Sequence, residues 1–256
     1  MNTPRPRKSD DLPGAGPKRP EDLRLLRIFK DVEAELLEGA FAALQPQRVK
    51  AHATLRLDRD FKDRVGFVWS GAYRFCAATP AGETITLYAV RPPHAFGFAM
   101  AIDGLGFGDV HRLAVDRGGV LLALPVSHFN HLAATSPAFA RNLNRALAHL
   151  TLIYGARVYE FASASVRVRL QSELLRQAER APAETDRRPL MPSPTHAKLA
   201  DLVGASREAV TRHLQTLAEE GLIDVRRGQI TVTSVAALRD LDRRALGRRF
   251  RRRKDS

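Results

Sequence analysis

The sequence predicts an α+β protein in which an antiparallel β-domain is followed by one long helix and then by a smaller domain of short helices and a β-hairpin. Short apolar runs alternate with turn residues over 48–126, as in "GFVWSGAYRF", "TPAGE" and "TITLYAV", a pattern typical of an antiparallel sandwich or barrel. Apolar residues recur at helical spacing over 137–161 for about six turns. A second amphipathic stretch follows over 166–178, and the proline-rich break "APAETDRRPLMPSP" then leads to the short helices and the hairpin.

The composition favours two ordinary domains and an acidic partner. The chain has 256 residues, of which 44% are hydrophobic, and this is enough to build two cores. Lysine and arginine number 41 against 28 aspartates and glutamates, a net charge of +13, so nucleic acid or an anionic membrane is an expected partner. No apolar run approaches the roughly 20 residues of a membrane helix, and the polar N-terminus has no signal-peptide core. We therefore expect a cytoplasmic protein without a membrane partner.

The cysteine content excludes some classes of protein. Cys76 is the only cysteine in the sequence, which excludes an intramolecular disulfide and a four-cysteine iron–sulfur cluster. The residue lies on a predicted strand, and we interpret it as an inert buried thiol rather than as a redox switch.

Both ends of the chain are predicted to be flexible. Residues 1–20 are polar and rich in proline and basic residues, which predicts a flexible N-terminal arm. Eight basic residues lie between Arg243 and Lys254, so we predict that 243–256 form a basic tail that binds DNA without sequence preference. The predicted units between these ends are, in order, short helices and the β-domain over 21–136, the long helix over 137–161 and the last domain over 162–242.

The long helix carries a seam with the spacing of a coiled coil. The apolar members of this seam are Leu143, Leu147, Leu150, Tyr154 and Phe161. Arg157 stands where one more apolar residue is expected. Because a helix of this length extends beyond a small β-domain, we predict that the seam pairs two chains; packing on the helix's own domain is the alternative.

The last domain has the signals of a winged helix-turn-helix. Thr195 can cap a first helix, "VGA" at 203–205 can form a tight turn, and Ser206 can cap a second helix. Gly221 can end that second helix in a left-handed conformation. The stretch "LIDVRRGQITVT" that follows predicts two short strands around a turn, which form the wing.

The outward face of the second helix is suited to DNA. Its apolar residues Val210, Leu214 and Leu217 are needed for packing, which leaves polar side chains outside. Arginine can donate two hydrogen bonds to guanine and glutamate can accept from cytosine. The predicted base contacts are Arg207, Glu208, Thr211 and Arg212, with Gln215 on the same face, and the predicted phosphate contacts are Thr195, Ser206, Arg226 and Arg227.

The stretch "LADLVGASREAVTRHLQTLAEEGLI" resembles the signature of the Crp/Fnr family of regulators, with Ser206, Arg207, Glu208 and Arg212 at the matching positions. The likeness extends over about residues 25–240 in the order of the domains. It implies an N-terminal antiparallel β-roll, which is jelly-roll-like, a long dimerisation helix and a C-terminal winged helix-turn-helix. It also implies a homodimer on a pseudo-palindromic site of double-stranded DNA, guanine contacts by Arg207 and Arg212, and RNA polymerase as a partner. The chain departs from the family at 196–198, where "HAK" replaces a common Gln-Glu pair.

The β-roll is similar to that family up to Gly97 and then departs from it. The run "FVWSGAYRFCAATPAGETITLYAVRPPHAFG" carries Gly71 and Gly97 at the family's two glycine positions. No glutamate follows Gly97, and His111 and Arg112 take the place of an Arg-Ser pair that binds cyclic nucleotide phosphate in related members. Cyclic AMP is therefore disfavoured, the effector is unknown, and no cofactor is assigned. The candidate pocket residues are Gly97, His111, Arg112 and Tyr154.

Several alternatives stay open at this point. A haem sensor could use His94, His111, His128 or His131 as an axial ligand. Alternatively, the effector pocket of the β-roll is closed and the protein is regulated by its abundance alone. A basic, tailed dimer could also bind DNA architecturally, without choosing a sequence. An enzyme is not predicted, because the sequence has no nucleophile elbow, phosphate-cradling loop or metal-spaced set of histidines and cysteines.

Overall fold

The structure is a computed structural model that describes residues 16–78, 84–104, 106, 108–180 and 185–246. The chain divides into two compact units, Met1–Ile153 and Tyr154–Ser256. The predicted turn "TPAGE" at 79–83 lies outside the described residues, as do most of the predicted arm and of the basic tail. Gly16, inside the predicted arm, is buried beside Pro46 and Val120, so the packed chain begins before residue 20.

The first unit contains the expected antiparallel β-roll, built from two four-stranded sheets. The strands are β1 Gln45–Val49, β2 Thr54–Arg56, β3 Arg64–Val68, β4 Ala72–Ala78, β5 Thr84–Val90, β6 Ala95–Phe96, β7 His111–Arg117 and β8 Gly119–Pro125. One sheet has the order β1-β8-β3-β6 and the other β2-β7-β4-β5. The predicted α+β fold is confirmed.

Strand β8 explains why the sequence has its most apolar run here. Alternate residues of a strand point to opposite faces of the sheet. Leu122 and Leu124 belong to a core shared with the helices, whereas Leu121 and Ala123 belong to the core between the two sheets. Both faces of β8 are therefore buried, and polar alternation is lost.

Helices cover one side of the β-roll. They are two 3₁₀ helices at Pro20–Leu25 and Arg27–Phe29, then α1 Ala34–Ala43, α3 Phe98–Asp103, α4 Val126–Thr135 and the first part of α5 Pro137–Ser163. The short helix α2 Leu57–Asp60 instead lies against β2 and β7, with Leu57 in the core between the two sheets. The side chain of Asn142 donates to the carbonyls of Ile28 (3.2 Å) and Lys30 (2.7 Å). Phe29 packs against Phe139, with ring centroids 5.5 Å apart. The leading segment is thereby fixed onto α5.

The predicted dimerisation seam of α5 is covered to different extents along its length. Leu143 is 6% exposed within the core of the first unit, and Leu147 and Leu150 pack against the same core. Phe161 contacts the second unit's helix-turn-helix, as described below. Part of the predicted stripe is therefore covered within one chain, and its use for dimerisation stays a prediction. The large apolar side chains of α5 that are exposed are Leu152 (68%), Val158 (67%), Tyr159 (50%) and, from the predicted seam, Tyr154 (37%).

The second unit forms the expected winged helix-turn-helix. Its elements after α5 are α6 Val166–Arg180, β9 Arg188–Pro189, α7 His196–Val203, α8 Arg207–Glu219, β10 Ile223–Arg226, β11 Gln229–Val232 and α9 Val235–Leu246. The strand order is β10-β11-β9, so the proline-rich break contributes a short third strand rather than only a loop. Leu174 of α6, Val203 of α7, Leu214 of α8 and Ile230 of β11 meet in one core. No helix in the described part of the chain has the length and apolar content needed to cross a bilayer.

Replacing Gly119 at the start of β8 should destabilise the β-roll. A Cβ at this position would lie 2.2 Å from the Ser70 carbonyl oxygen, and this main-chain atom cannot move away freely. We expect Gly119→Ala to lower the free energy of unfolding by about 1–3 kcal/mol. The matched control is Gly39→Ala in α1, where nothing lies within 4 Å of the new Cβ and where alanine should stabilise the helix by about 0.5–1 kcal/mol. Thermal unfolding followed by circular dichroism measures both; equal effects of the two changes would contradict this account.

Candidate nucleic-acid interface

Local capping fixes the starts of α7 and α8. The Thr195 hydroxyl accepts a hydrogen bond from the Lys198 amide, and the Ser206 hydroxyl accepts one from the Ala209 amide, both at 3.2 Å. Each side chain satisfies a main-chain donor that the first turn of a helix leaves without an intrahelical partner. Both predicted caps are confirmed.

The turn between α7 and α8 depends on a glycine. Gly204 is left-handed, with φ 59° and ψ 57°, a conformation that other L-residues adopt at a cost. A Cβ on Gly204 would also lie 2.6 Å from Cε1 of Phe161. Both backbone conformation and space therefore require glycine at this turn.

Two arginines hold the end of α7 from the other side. Arg169 donates from Nε to the Val203 carbonyl (2.8 Å) and from Nη2 to the Gly204 carbonyl (3.2 Å). Arg157 donates to the Leu202 carbonyl. The last carbonyls of a helix lack intrahelical donors and lie at the negative end of its dipole, so cationic donors are well suited to them.

The ring of Phe161 lies close to both guanidinium groups. Its centroid is 4.8 Å from Cζ of Arg157 and 5.1 Å from Cζ of Arg169, within the range of cation–π attraction. We call the set of Arg157, Phe161 and Arg169 the turn clamp, since its members meet at the helix-turn-helix turn.

A buried ionic cluster supports the turn clamp. Glu160 is 1% exposed and lies between Arg157 (3.4 Å) and Arg176 (3.2 Å). Arg176 also pairs with Glu173 at 2.8 Å. Burial, with the nearby charge of Arg176, lowers the pKa of Arg157. The cluster joins the last turns of α5 to α6, and it is compensated because each buried charge faces an opposite one.

The recognition helix α8 separates an apolar face from a polar one. Val210, Leu214 and Leu217 are buried. Arg207, Glu208, Arg212 and Gln215 are exposed, whereas Thr211 is half-buried. Four of the five side chains on the predicted outward face therefore remain accessible.

Thr211 is engaged inside the protein. Its hydroxyl donates to the Arg207 carbonyl at 2.9 Å, and it lies 2.8 Å from Nδ1 of His196. His196 is the first residue of α7, at the position where the sequence departs from the Crp/Fnr pattern.

The environment of His213 disfavours its charged form. Burial and the neighbouring charges of Arg212 and Arg167 lower its pKa from the ordinary value near 6.5. The positive charge near α8 is therefore supplied by arginines.

The wing is a tight hairpin that presents arginines. Arg227 and Gly228 form its two-residue turn, with φ 49° and 78°, as a type I′ turn requires. Asp224 on β10 holds Arg187 at 2.7 Å and Arg226 at 3.1 Å. The hydrogen bond from Arg187, with the charge of Arg226, lowers the pKa of Asp224, so its carboxylate stays ionised.

Arg187 was not predicted from the sequence. It precedes β9 inside the proline-rich break, and only the pairing of β9 with β11 brings it beside the wing. Such non-local pairing leaves no local signal.

The segment directly after Gly97 forms the short helix α3. Gly97 (φ 94°) and Gly104 (φ 70°) flank α3 in left-handed conformations. Phe98 is 3% exposed and packs 5.8 Å from the ring of Phe129. This aromatic contact fixes α3 onto α4.

The other candidate pocket residues are engaged locally. His111 lies against the ring of Phe75 at 5.6 Å, and Arg112 donates to the His111 carbonyl at 3.0 Å and to the Asp109 carbonyl. Tyr154 lies in the second unit, so the predicted set is divided between the two units.

Aromatic rings fill the space between the two sheets of the β-roll. Phe96 packs edge-on to Phe61 at 4.9 Å, and Phe75 stacks on Tyr88 at 5.1 Å. The ring of Phe96 also covers Gly66, where a Cβ would lie 2.1 Å from Cζ.

The other histidines considered as haem ligands lie outside this interior. His94 precedes β6 and hydrogen-bonds the Arg91 carbonyl at 3.1 Å, while His128 and His131 are exposed on α4. Within the described residues, no three His, Cys, Asp or Glu side chains are grouped to hold a metal ion. Cys76 is fully buried, and burial raises the pKa of its thiol, which agrees with an inert thiol.

Comparisons with known proteins find similarity to a helix-turn-helix domain and to transcriptional regulators. Residues 168–241 match the Crp-like helix-turn-helix domain. The transcriptional regulator SdrP of Thermus thermophilus is 28% identical over 180 residues, which are 70% of this chain and 84% of that protein. The global nitrogen regulator of Nostoc sp. is 24% identical over 213 residues, 83% of this chain and 93% of that protein. A solved Crp/Fnr-family regulator from Eubacterium rectale shares the fold, with a TM-score of 0.68, 21% identity and coverage of 84% of this chain and 97% of that one.

Removing the Arg169 side chain should destabilise the DNA-binding unit. Arg169→Ala deletes donors to the carbonyls of Val203, Gly204 and Ala164, and a lost charged hydrogen bond costs about 1.5–3 kcal/mol. We expect the free energy of unfolding to fall by about 2 kcal/mol or more. Arg239→Ala is the matched control, since Arg239 pairs with Glu179 where both side chains are more than 40% exposed and should cost under about 1 kcal/mol. Urea unfolding compares the two; equal losses would show that the turn clamp adds nothing beyond a surface ion pair.

Proposed function

We propose, from the premise that the chain is a DNA-binding transcriptional regulator of the Crp/Fnr family, that it acts as a homodimer on a pseudo-palindromic DNA site. The observation that carries this proposal is the exposed polar face of α8, on a Crp-like helix-turn-helix, beside a wing that presents arginines. Each protomer inserts one recognition helix into the major groove of one half-site.

Sequence selection rests on few side chains. Arg207 and Arg212 donate to guanines, and Glu208 accepts from cytosine on the opposite strand. Arg207 and Glu208 lie in the first turn of α8, the end of a recognition helix that meets base edges. Their exposure leaves them free to make these contacts.

Phosphate contacts orient the helix. Thr195 and Ser206 at the two helix starts, with Arg226 and Arg227 of the wing, contact the DNA backbone. Arg187 joins this set, because Asp224 holds it beside Arg226. These contacts supply affinity that falls as salt rises.

The dimer forms through the outward face of α5. Residues at alternating spacings of four and three share this face: Ala148, Leu152, Gly155, Tyr159 and Ala162. Small residues recur at every seventh position, which allows two helices to approach closely. Gly155 is exposed, with nothing within 4 Å of a Cβ placed on it. A glycine inside a helix lowers helix stability by about 1 kcal/mol relative to alanine. Close packing of a partner helix would explain why this position has no side chain.

The β-roll of this regulator does not hold cyclic AMP in the family's usual way. The segment after Gly97 packs as a helix, Arg112 is bonded to its own loop, and aromatic rings fill the space between the sheets. A signal acts through α5, whose rearrangement changes the spacing of the two recognition helices, and the bound dimer acts on transcription through RNA polymerase.

Replacing Arg212 should remove part of the base preference. Arg212→Ala is expected to weaken binding to a duplex selected from a random library by about 1–3 kcal/mol, and to weaken binding to a scrambled duplex much less. Arg59→Ala, which deletes an exposed arginine of α2 in the β-roll, is the control of equal charge and should change neither affinity. Equilibrium binding at one fixed salt concentration measures the affinities of both variants for the selected duplex and for the scrambled duplex. If no duplex is selected, or Arg212→Ala weakens both duplexes alike, the protein binds architecturally rather than by sequence.

Two leucines on opposite sides of α5 should behave differently. Leu152→Lys puts a charge on the exposed face and is expected to produce a monomer by sedimentation analysis. Leu147→Ala removes packing against the core and is expected to lower stability by about 2 kcal/mol while the dimer persists. A monomer from Leu147→Ala together with a dimer from Leu152→Lys would instead support the seam expected from the sequence.

A further inference from the structure

Thr211 occupies an unusual position on the recognition helix. It lies one turn after Arg207 and directly before Arg212, within the half of α8 that meets base edges. Unlike these arginines, it is half-buried. A role for Thr211 therefore has to agree with the contacts it already makes inside the protein.

The Thr211 hydroxyl is not available as a donor to a base. A hydroxyl carries one proton, and both acceptors near it belong to the protein: the Arg207 carbonyl at 2.9 Å and His196 Nδ1 at 2.8 Å. With the proton directed to Arg207, the imidazole donates its Nδ1 proton to the hydroxyl oxygen. In either arrangement the hydroxyl proton remains within the chain.

Holding the hydroxyl also fixes the other branch of the side chain. Threonine has two heavy atoms on Cβ, so anchoring Oγ1 at two points selects one χ1 rotamer and sets the position of the methyl group. The hydroxyl oxygen keeps a lone pair that can accept a hydrogen bond, and the methyl group is the apolar part of Thr211 that can contact DNA. In the major groove, the matching apolar group is the C5-methyl of thymine.

We propose that Thr211 recognises a thymine methyl through its own methyl group, and that His196 is the positioning residue that holds Thr211 for this contact. The inference rests on the proposed sequence-specific binding and names one element of its specificity. It also gives a use to His196, which stands where related regulators commonly carry a different pair of residues.

Replacing thymine by deoxyuridine tests the methyl contact, because this change removes only the C5-methyl. Each thymine in one half-site of the selected duplex is replaced in turn, and binding is measured at equilibrium. The native protein is expected to lose affinity about fourfold at one position, the value of one buried methyl-sized group. Thr211→Val keeps the methyl and should keep this loss; Thr211→Ser keeps only the hydroxyl and should bind both duplexes alike.

A double-mutant cycle tests the role of His196. His196→Ala should reduce the fourfold ratio in the native background but leave it unchanged in the Thr211→Val background, which has no hydroxyl to position. His196→Asn retains an amide donor near the place of Nδ1 and should restore the ratio. Because the readout is a ratio between two duplexes, a general loss of fold or of phosphate affinity does not imitate it.

The outcomes separate this inference from the proposed function. A selected motif with no thymine sensitive to the change, or sensitivity that Thr211→Ser keeps and Thr211→Val loses, overturns the methyl contact and leaves sequence-specific binding intact. An unchanged ratio in His196→Ala overturns the positioning role alone. Failure to select any motif overturns the proposed function, and the inference with it.

Discussion

The DNA-binding unit depends on the donation of guanidinium hydrogen bonds to three consecutive carbonyls at the end of α7. Without Arg157 and Arg169, the carbonyls of Leu202, Val203 and Gly204 would face the turn with few donors. The same two arginines stack on Phe161, whose ring in turn excludes any side chain at Gly204. The angle at which α8 leaves the turn is therefore set by side chains from the end of α5 and the start of α6. A rearrangement in the last turns of α5 must either carry the turn with it or break charged hydrogen bonds.

One side of α5 is used for packing within the chain, which leaves the other side for the proposed dimer contact. Glu160 and Arg157 are buried in an ionic cluster with α6, and removing one member of such a cluster leaves an uncompensated buried charge. Leu143 is buried in the core of the β-roll. The face that remains exposed carries small residues and a few large apolar ones, which is the surface through which two parallel helices can pack closely.

The sequence predicted features that depend on local chemistry and was less informative where the partners are distant in the chain. Thr195 and Ser206 cap their helices, and the Arg-Gly turn of the wing forms, because each needs only neighbouring residues. The seam of α5 had the right period, but periodicity identifies an apolar stripe without identifying what covers it. The opposite stripe, with Ala148, Gly155 and Ala162, is too weakly apolar to be noticed in a sequence. Arg187 was missed because a two-residue strand in a proline-rich stretch has no pattern of its own.

Sequence selection by a strongly basic chain needs more than its charge. In this structure some side chains of the proposed DNA-binding surface are already held in place by contacts within the protein. General positive charge attracts every sequence alike, so discrimination has to come from side chains whose conformation does not adapt to the wrong base. Thr211 is held by the Arg207 carbonyl and His196, and Asp224 pairs with Arg187 and Arg226 beside the wing, where the proposed contacts are to phosphate. Ordering them within the protein means that binding does not have to supply that entropy. Arg207 and Arg212 are exposed, and in the proposed complex each donates to a guanine. In the proposed complex, a threonine that is already held within the protein therefore acts beside arginines that are exposed until DNA binds.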